Sequence, residues 1–270
     1  MTSSSPLKMA CMAIALCAAA TAPAQTLTTL VNFTGSNGRN PGGSLVQGAD
    51  GNFYGTTNLG GFENNGTIFK LDHRGVSILY RFPGGSSGGG PFGLMQATDS
   101  NFYGVAGRGS SNAGVLFKIT TAGVYTVLQS FTNETGAYPL AAPLQDTNGL
   151  LYGTTSLGGT NGFGTVYSID LGFGPCVALV GYISQPGRTV QILGQGLTGS
   201  TAVAFNGIPA TSFQVVSDTY MTAVVPAGAT TGPVVVTTPT GTLTSNKNLT
   251  IPGSAGVHAK GAVTRSHIKR

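Results

Sequence analysis

Three tyrosines recur at a fixed interval, and their type and spacing suggest two kinds of site. Tyr54, Tyr103 and Tyr152 are 49 residues apart, and a glycine follows each of them. A ring of aromatic side chains could stack on the faces of sugars, whereas aromatic side chains in general bury large areas in protein cores. We interpret the three tyrosines as core residues between repeated units, with sugar stacking as the alternative hypothesis.

Acidic residues are the next candidates for chemistry. Asp50 and Asp99 precede two of these tyrosines, and their carboxylates could bind calcium. Asp side chains in tight turns also accept hydrogen bonds from their own backbone, and we predict this role for both. The chain holds eight Asp and Glu residues in total. Glycoside hydrolysis needs two carboxylates about 5 to 10 Å apart, and no motif pairs two of them, so we predict no catalytic residues.

Cysteine chemistry and metal binding have little support. Cys176 would need a base such as His73, His258 or His267 to act as a nucleophile. It lies in an apolar run, so we predict a small buried hydrophobic residue. The sequence contains no metal-ligand spacing, and we expect neither a metal nor a cofactor.

The positive net charge belongs to the C-terminal tail. The formal charge is +5, yet residues 25–252 hold 8 basic and 8 acidic groups. A nucleic-acid interface would cluster Lys and Arg on the folded surface, so we expect no nucleic-acid partner. The basic tail, residues 253–270, is interpreted as a disordered end, with a weak contact to anionic envelope polymers as the alternative. Its four charges are Lys260, Arg265, Lys269 and Arg270.

The N-terminus has the pattern of a secretory signal peptide. Lys8 precedes a short apolar run from Met9 to Ala20, and Ala22-Pro23-Ala24 is a small-residue cleavage site. The run is too short to span a membrane. We therefore predict a signal peptide at residues 1–24 and a secreted, periplasmic or outer-surface location with no transmembrane segment.

The elements that carry the tyrosines are short strands in three repeats of 49 residues, which span residues 26–172. Asp50-Gly51 predicts a tight hairpin turn, and Phe53 to Thr57 the strand after it. Each repeat has four such strands, except that the third ends one strand short. Residues 26–33 match the missing strand. We predict that they pair with residues 165–169 and complete the last repeat, as in a β-propeller.

The repeat resembles the GloVer-type tandem repeat of exported bacterial proteins, which implies a propeller-like fold and no defined activity. Three units are few for a closed propeller. A β-trefoil, or an open arc that closes by pairing with another chain, would also fit the repeat. The resemblance is carried by Gly43, Leu45, Gln47, Asp50 to Thr57, Gly60, Gly61 and Gly66 to Leu71.

After residues 172–175 the composition changes, and about seven short strands predict an immunoglobulin-like sandwich over residues 175–252. Ile192-Leu193-Gly194-Gln195-Gly196-Leu197 resembles the signature of the IPT/TIG domain. Leu197 stands where an aromatic residue is usual. The resemblance implies a spacer or binding module and no enzyme site.

The sequence thus predicts an all-β, exported and non-catalytic binding, adhesion or scaffold protein. A carbohydrate or cell-envelope polymer is the first hypothesis for its partner, and a second copy or another repeat protein is a further one. The binding residues stay unassigned. The alternative function is a polysaccharide hydrolase or lyase that uses the repeat domain as its catalytic frame.

Overall fold

A computed structural model describes residues 26–253. Residues 1–32 and 33–270 form two separate units, and residues 26–32, the described part of the first, contain no strand. The predicted signal peptide, and the basic tail from residue 254 onward, lie outside the described residues. The described part of the second unit is all-β, as predicted, and its one helical element is a single 3-10 turn, Gly85–Ser87.

The first repeat forms a four-stranded antiparallel sheet in which neighbours in sequence are neighbours in space. A tight turn at Gly51, which has a φ of +80°, joins the first two strands. A second turn joins the last two, where the carboxylate of Asp72 accepts a hydrogen bond from the backbone N–H of Arg74 (2.8 Å). The strands are β1 (Arg39–Gln47), β2 (Phe53–Leu59), β3 (Thr67–Asp72) and β4 (Gly75–Arg81).

The second and third repeats reproduce this meander. The second sheet contains β5 (Gly89–Gln96), β6 (Phe102–Arg108), β7 (Val115–Ile119) and β8 (Tyr125–Ser130). The third contains β9 (Leu144–Gln145), β10 (Leu151–Thr155) and β11 (Thr165–Ile169). The sheets are separate, and no sheet among the described residues closes on itself.

The hairpin turn before each tyrosine strand keeps the same backbone conformation in all three repeats. Gly51, Ser100 and Gly149 have φ values of +80°, +64° and +90°. Glycine adopts this left-handed region without steric cost, whereas a side chain such as that of Ser100 does not. Asp50 and Asp99 each accept a hydrogen bond from the backbone N–H two residues later, at 3.2 and 3.1 Å. The prediction of turn-forming aspartates is confirmed.

Each sheet packs on the next through an aromatic interface. The ring of Tyr54 in the first repeat lies 4.1 Å, centroid to centroid, from that of Phe102 in the second. The residue that directly follows each fourth strand also contacts the next repeat: Phe82 contacts Phe117, and Phe131 contacts Tyr167. The cores therefore lie between the repeats and not within any one sheet.

The predicted strand at residues 26–33 is wrong. Residues 26–34 form no strand, and among the described strands β11 pairs only with β10. Phe33 instead contacts Phe69 of the first sheet, with the ring centroids 5.2 Å apart. This contact is equivalent to that of Phe82 with Phe117 in the next repeat. Phe33 therefore covers Phe69 of the first repeat. The third sheet has three strands.

The C-terminal part is a sandwich of two four-stranded sheets, which confirms the immunoglobulin-like prediction. Alternate residues of its strands, such as Val234 and Val236, point into one buried core. Leu197, the departure from the expected aromatic, is also part of that core. One sheet has the order β12 (Ala178–Val180), β13 (Thr189–Leu193), β17 (Tyr220–Val224), β16 (Ser212–Ser217). The other has the order β15 (Ile208–Pro209), β14 (Ala202–Phe205), β18 (Val234–Thr238), β19 (Gly241–Thr244).

The sandwich begins at the hairpin turn of the third repeat. The backbone N–H of Cys176 donates to the carbonyl of Thr147 (2.9 Å). Phe173 packs edge-on against Tyr103, with the ring centroids 5.6 Å apart. The Cys176 thiol is buried, and burial together with the nearby Asp146 raises its pKa to about 11. A thiol with so high a pKa is a poor nucleophile near neutral pH, which agrees with the predicted packing role.

Candidate functional site

The candidate acidic residues belong to a small polar cluster that occurs in the first two repeats. In the first, the Tyr54 hydroxyl donates to the Asp50 carboxylate (2.8 Å), and the Lys70 ammonium lies 3.1 Å from the same oxygen. Burial raises the pKa of Asp50, but hydrogen bonds from Asn52, Tyr54 and Lys70 outweigh it and lower that pKa to about 2. Asp50 therefore stays ionised and is fully engaged by donors.

The second repeat repeats this cluster, and the third has lost it. The Tyr103 hydroxyl donates to Asp99 at 2.8 Å, and Lys118 lies 3.1 Å from the same carboxylate. In the third repeat Asn148 replaces the aspartate and donates to the Tyr152 hydroxyl at 2.9 Å. The described residues contain no cluster of three or more potential metal ligands. The arrangement supports a structural role for these aspartates.

The three tyrosines do not form a sugar-binding ring. Tyr54 and Tyr103 are buried between successive sheets, where their rings contact Phe102 and Phe173. Tyr152 is half-buried at the end of the array. The interpretation of these residues as core between repeats is therefore confirmed for the first two tyrosines.

A cleft of about 230 Å³ lies where residues of all three repeats meet. Residues of β5 and β6 in the second repeat line it together with residues of the first and third repeats. The lining combines aromatic, aliphatic and polar side chains with glycine backbone, which is the usual composition of small-ligand sites. The lining residues are Asn58, Leu59, Gly89, Gly90, Phe92, Gly107, Arg108, Tyr138 and Leu140.

Tyr138 has an unusual backbone conformation for a bulky residue. Its φ is +56°, in the left-handed region where a side chain other than Gly, Asn or Asp is an outlier. Hydrogen bonds hold the conformation on both sides: the Tyr138 N–H donates to Ala113 (2.8 Å), and the Ser156 N–H and hydroxyl donate to the Tyr138 carbonyl (3.1 and 3.0 Å). Strained residues that the surrounding structure fixes cluster at binding sites. This backbone conformation places the exposed phenol ring of Tyr138 at the edge of the cleft.

Arg108 and Asn58 supply the polar side of the cleft. The Arg108 guanidinium donates to the Asn58 carbonyl at 3.4 Å. No salt bridge of residues 26–253 involves Arg108, so most of its five N–H donors are available to a ligand. A Cβ at Gly90 would lie 3.1 Å from Arg108 Nη2 and 3.4 Å from Asn58 Nδ2. The glycine therefore leaves room for both polar groups.

Phe92 forms the second aromatic surface of the cleft. A Cβ at Gly107 would approach Phe92 Cε2 to 3.0 Å, so the glycine leaves room for the ring. Phe92 is only partly buried. The cleft thus presents two aromatic side chains, Tyr138 and Phe92, and two planar polar side chains, Arg108 and Asn58.

The sequence interpretation assigned none of these residues, although the 49-residue alignment contained a signal for two of them. Arg108 occupies the position of Leu59 and Leu157 in the other repeats, so a charged residue stands in a column of leucines. In the strand pairing, Tyr138 occupies the position of Asn40 and Gly90, and all three residues have a positive φ. A bulky aromatic residue therefore stands where the other repeats have turn-forming residues. A residue that breaks its repeat column is a candidate for function because the repeat itself does not need it.

Two known family models match parts of this chain. The family model of the Gloeobacter/Verrucomicrobia repeat matches residues 19–212, which is more than half of the sequence. The chain belongs to this family. The IPT/TIG domain model matches residues 176–251 of this Gloeobacter/Verrucomicrobia repeat protein. Both resemblances inferred from the sequence are confirmed.

Solved structures share only limited similarity with this repeat-family chain, and no curated protein matches it. One is the Bacteroides ovatus mixed-linkage glucan utilization locus SGBP-B in complex with a mixed-linkage heptasaccharide, with 17% identity and a TM-score of 0.25. Another is the gamma-CGTase from alkalophilic Bacillus clarkii, with 14% identity and a TM-score of 0.24. The matches cover 47% and 56% of this chain, and 35% and 24% of those structures. Similarities this low support no functional argument.

No helix among residues 26–253 has the length and apolar character to cross a bilayer.

Proposed function

We propose that this protein is an exported, non-catalytic carbohydrate-binding protein whose binding site is the cleft between the three repeats. The observation that carries the proposal is Tyr138, a bulky aromatic residue held at a φ of +56° with its ring exposed at the cleft. A conformation that costs about 1–3 kcal/mol is retained here at a position where the other repeats have Asn40 and Gly90, with φ values of +55° and +63°.

The chemistry of the cleft fits a sugar chain. Sugar rings present an apolar C–H face that can pack on aromatic rings, and hydroxyl groups that pair with planar polar side chains. Tyr138 and Phe92 offer such rings, while Arg108 and Asn58 offer donors and acceptors. The phenol of Tyr138 adds a polar group at the rim, as is common for aromatic residues at interfaces.

We propose a non-catalytic role for the cleft because no Asp or Glu lines it. Hydrolysis of a glycosidic bond uses two carboxylates that flank that bond. Asp50 and Asp99 lie outside the cleft lining and are engaged by Tyr54 and Tyr103. A sugar bound in the cleft would therefore meet recognition groups and not a carboxylate pair.

The remaining parts fit an exported scaffold. The predicted signal peptide would direct the chain out of the cytoplasm, and the IPT/TIG sandwich would act as a spacer or a second binding module. We further propose that the three sheets are blades of a propeller-like array.

A glycan array probed with the mature chain, residues 25–270, is the first test, followed by calorimetric titration of the best glycan. We expect Tyr138→Ala and Arg108→Ala each to weaken binding at least about tenfold, or 1.4 kcal/mol. Phe163→Ala is the matched control, since Phe163 is an exposed aromatic residue outside the cleft. Unchanged binding by Tyr138→Ala would refute the site. Release of reducing ends from the bound polymer would refute the non-catalytic role.

A further inference from the structure

The last repeat leaves open a sheet face that the other repeats bury. We define the trailing face of a repeat as the side that meets the following repeat. Ile68 and Leu116 lie on the trailing faces of the first and second repeats and are 0% and 1% exposed. Val166 has the same place in the strand pairing of the third repeat, yet it is 79% exposed. Leu144 on the neighbouring strand is exposed as well.

The first repeat leaves open the opposite side. We define the leading face as the side that meets the preceding repeat. Phe102 lies on the leading face of the second repeat and is 0% exposed, whereas its equivalent Phe53 in the first repeat is 42% exposed. Leu45 is 51% exposed, whereas its equivalent Leu94 is buried. The array therefore has one uncovered apolar face at each end.

The internal interfaces show what covers such faces. Between the first two repeats, the ring of Tyr54 on the trailing face packs against that of Phe102 on the leading face, with centroids 4.1 Å apart. Ile68 and Leu94 belong to the same buried cluster. By repeat position, the open trailing face presents Tyr152 and Val166, and the open leading face presents Phe53 and Leu45. The two open faces are thus the two halves of an interface that the chain already forms within itself.

On the leading face of the first repeat, one aromatic contact of the internal interface is already made by the chain itself. Inside the array, Phe82 from the preceding repeat covers Phe117, with ring centroids 5.6 Å apart. In the first repeat, Phe33 of the same chain covers the equivalent Phe69. The position that Phe82 fills inside the array is therefore already occupied by Phe33. This matches the third repeat, which has no fourth strand to offer.

We propose that copies of this protein associate head to tail, with the trailing face of one copy packed on the leading face of the next. Tyr152 of one copy would stack near Phe53 of the second, and Val166 would pack near Leu45. Two copies that use both faces would close into a ring. Such heterologous contacts form rings when the rotation closes and open chains when it does not.

The test measures molar mass by light scattering during size-exclusion chromatography of the mature chain, over a range of concentrations. We expect the wild type to associate, and Val166→Glu and Leu45→Glu each to be monomeric because a charge is placed in the interface. Val124→Glu is the matched control, since Val124 is an exposed valine in the turn between β7 and β8. Circular dichroism checks that each variant is folded.

Mixing the two monomeric variants tests the pairing of the faces. Val166→Glu keeps an intact leading face and Leu45→Glu an intact trailing face, so a one-to-one mixture regains one wild-type interface. We expect a heterodimer. A wild type that stays monomeric at all concentrations would overturn the proposal, as would association that Leu45→Glu retains or that the mixture fails to restore.

Discussion

The rings of Tyr54 in the first repeat and Phe102 in the second pack against each other, with centroids 4.1 Å apart and planes inclined by 35°. Both residues are fully buried, although Tyr54 also donates a hydrogen bond to Asp50 at the rim. The pair shows how this protein builds its core: each sheet contributes one face to the interface before it and the other to the interface after it. A residue's burial therefore depends on which repeat it belongs to.

This dependence predicts unequal effects at equivalent positions. Phe102→Ala should lower the free energy of unfolding by about 3–5 kcal/mol, the usual cost of removing a buried phenylalanine. Phe53→Ala, one repeat earlier, should cost far less because Phe53 is exposed to solvent in the monomer. Urea denaturation of the two variants at low protein concentration makes the comparison. Equal losses would contradict the stacking of the repeats.

The hairpin turns predict a stabilising substitution. Ser100 has a φ of +64° at the position where the other repeats have Gly51 and Gly149. Ser100→Gly should raise the free energy of unfolding by about 1 kcal/mol, because glycine adopts this conformation without steric cost. The reverse change, Gly51→Ser, should lower it by a similar amount. Thermal and chemical denaturation measure both, and a loss of stability in Ser100→Gly would contradict the assigned turn.

The carboxylate clusters predict a dependence of stability on pH. The pKa of Asp50 is lowered from 3.8 to about 2 in the folded chain. A carboxyl with a lower pKa in the folded state stabilises the fold above its unfolded pKa and loses this contribution as it is protonated. The contribution of Asp50 should be complete above pH 4 and should fall between about pH 4 and pH 2.

The variant that tests this dependence is Asp50→Asn, which imitates Asn148 of the third repeat. The difference in unfolding free energy between the wild type and the variant should shrink as the pH falls from 5 to 2.5. Glu63→Gln is the control, because it removes a carboxylate outside both clusters. A wild-type advantage that stays constant across this pH range would contradict the role of Asp50.

The positive φ of Tyr138 leads us to expect a substitution there that lowers glycan affinity without lowering stability. Tyr138→Asn installs the residue that the first repeat has at this position, where Asn40 adopts a φ of +55°. Asparagine tolerates this conformation better than tyrosine, so the free energy of unfolding should stay equal or rise by about 1 kcal/mol. Glycan affinity should fall at least about tenfold. Denaturation and calorimetric titration on the same sample test both halves, and a stable variant with full affinity would contradict the proposed site.

Much of the fold could be predicted because its signals are local. The 49-residue interval, the Asp50-Gly51 turn and the alternation within the strands all act over a few residues. They were sufficient for the strands of the first two sheets and for the sandwich. The predicted strand at residues 26–33 matched the other repeats at Leu30 and Phe33. It failed because Phe33 covers Phe69 without the residues before it forming a strand.

The sequence by itself determined the repeat and its family, the turn residues and the IPT/TIG domain, since these depend on residue types at short range. Only the tertiary structure decided that Asn58, Arg108 and Tyr138, one from each repeat, line the same cleft. Their meeting depends on how the sheets stack, and stacking is set by the summed packing of faces that are distant in sequence. The same stacking decides that Val166 is exposed while Ile68, its equivalent, is buried.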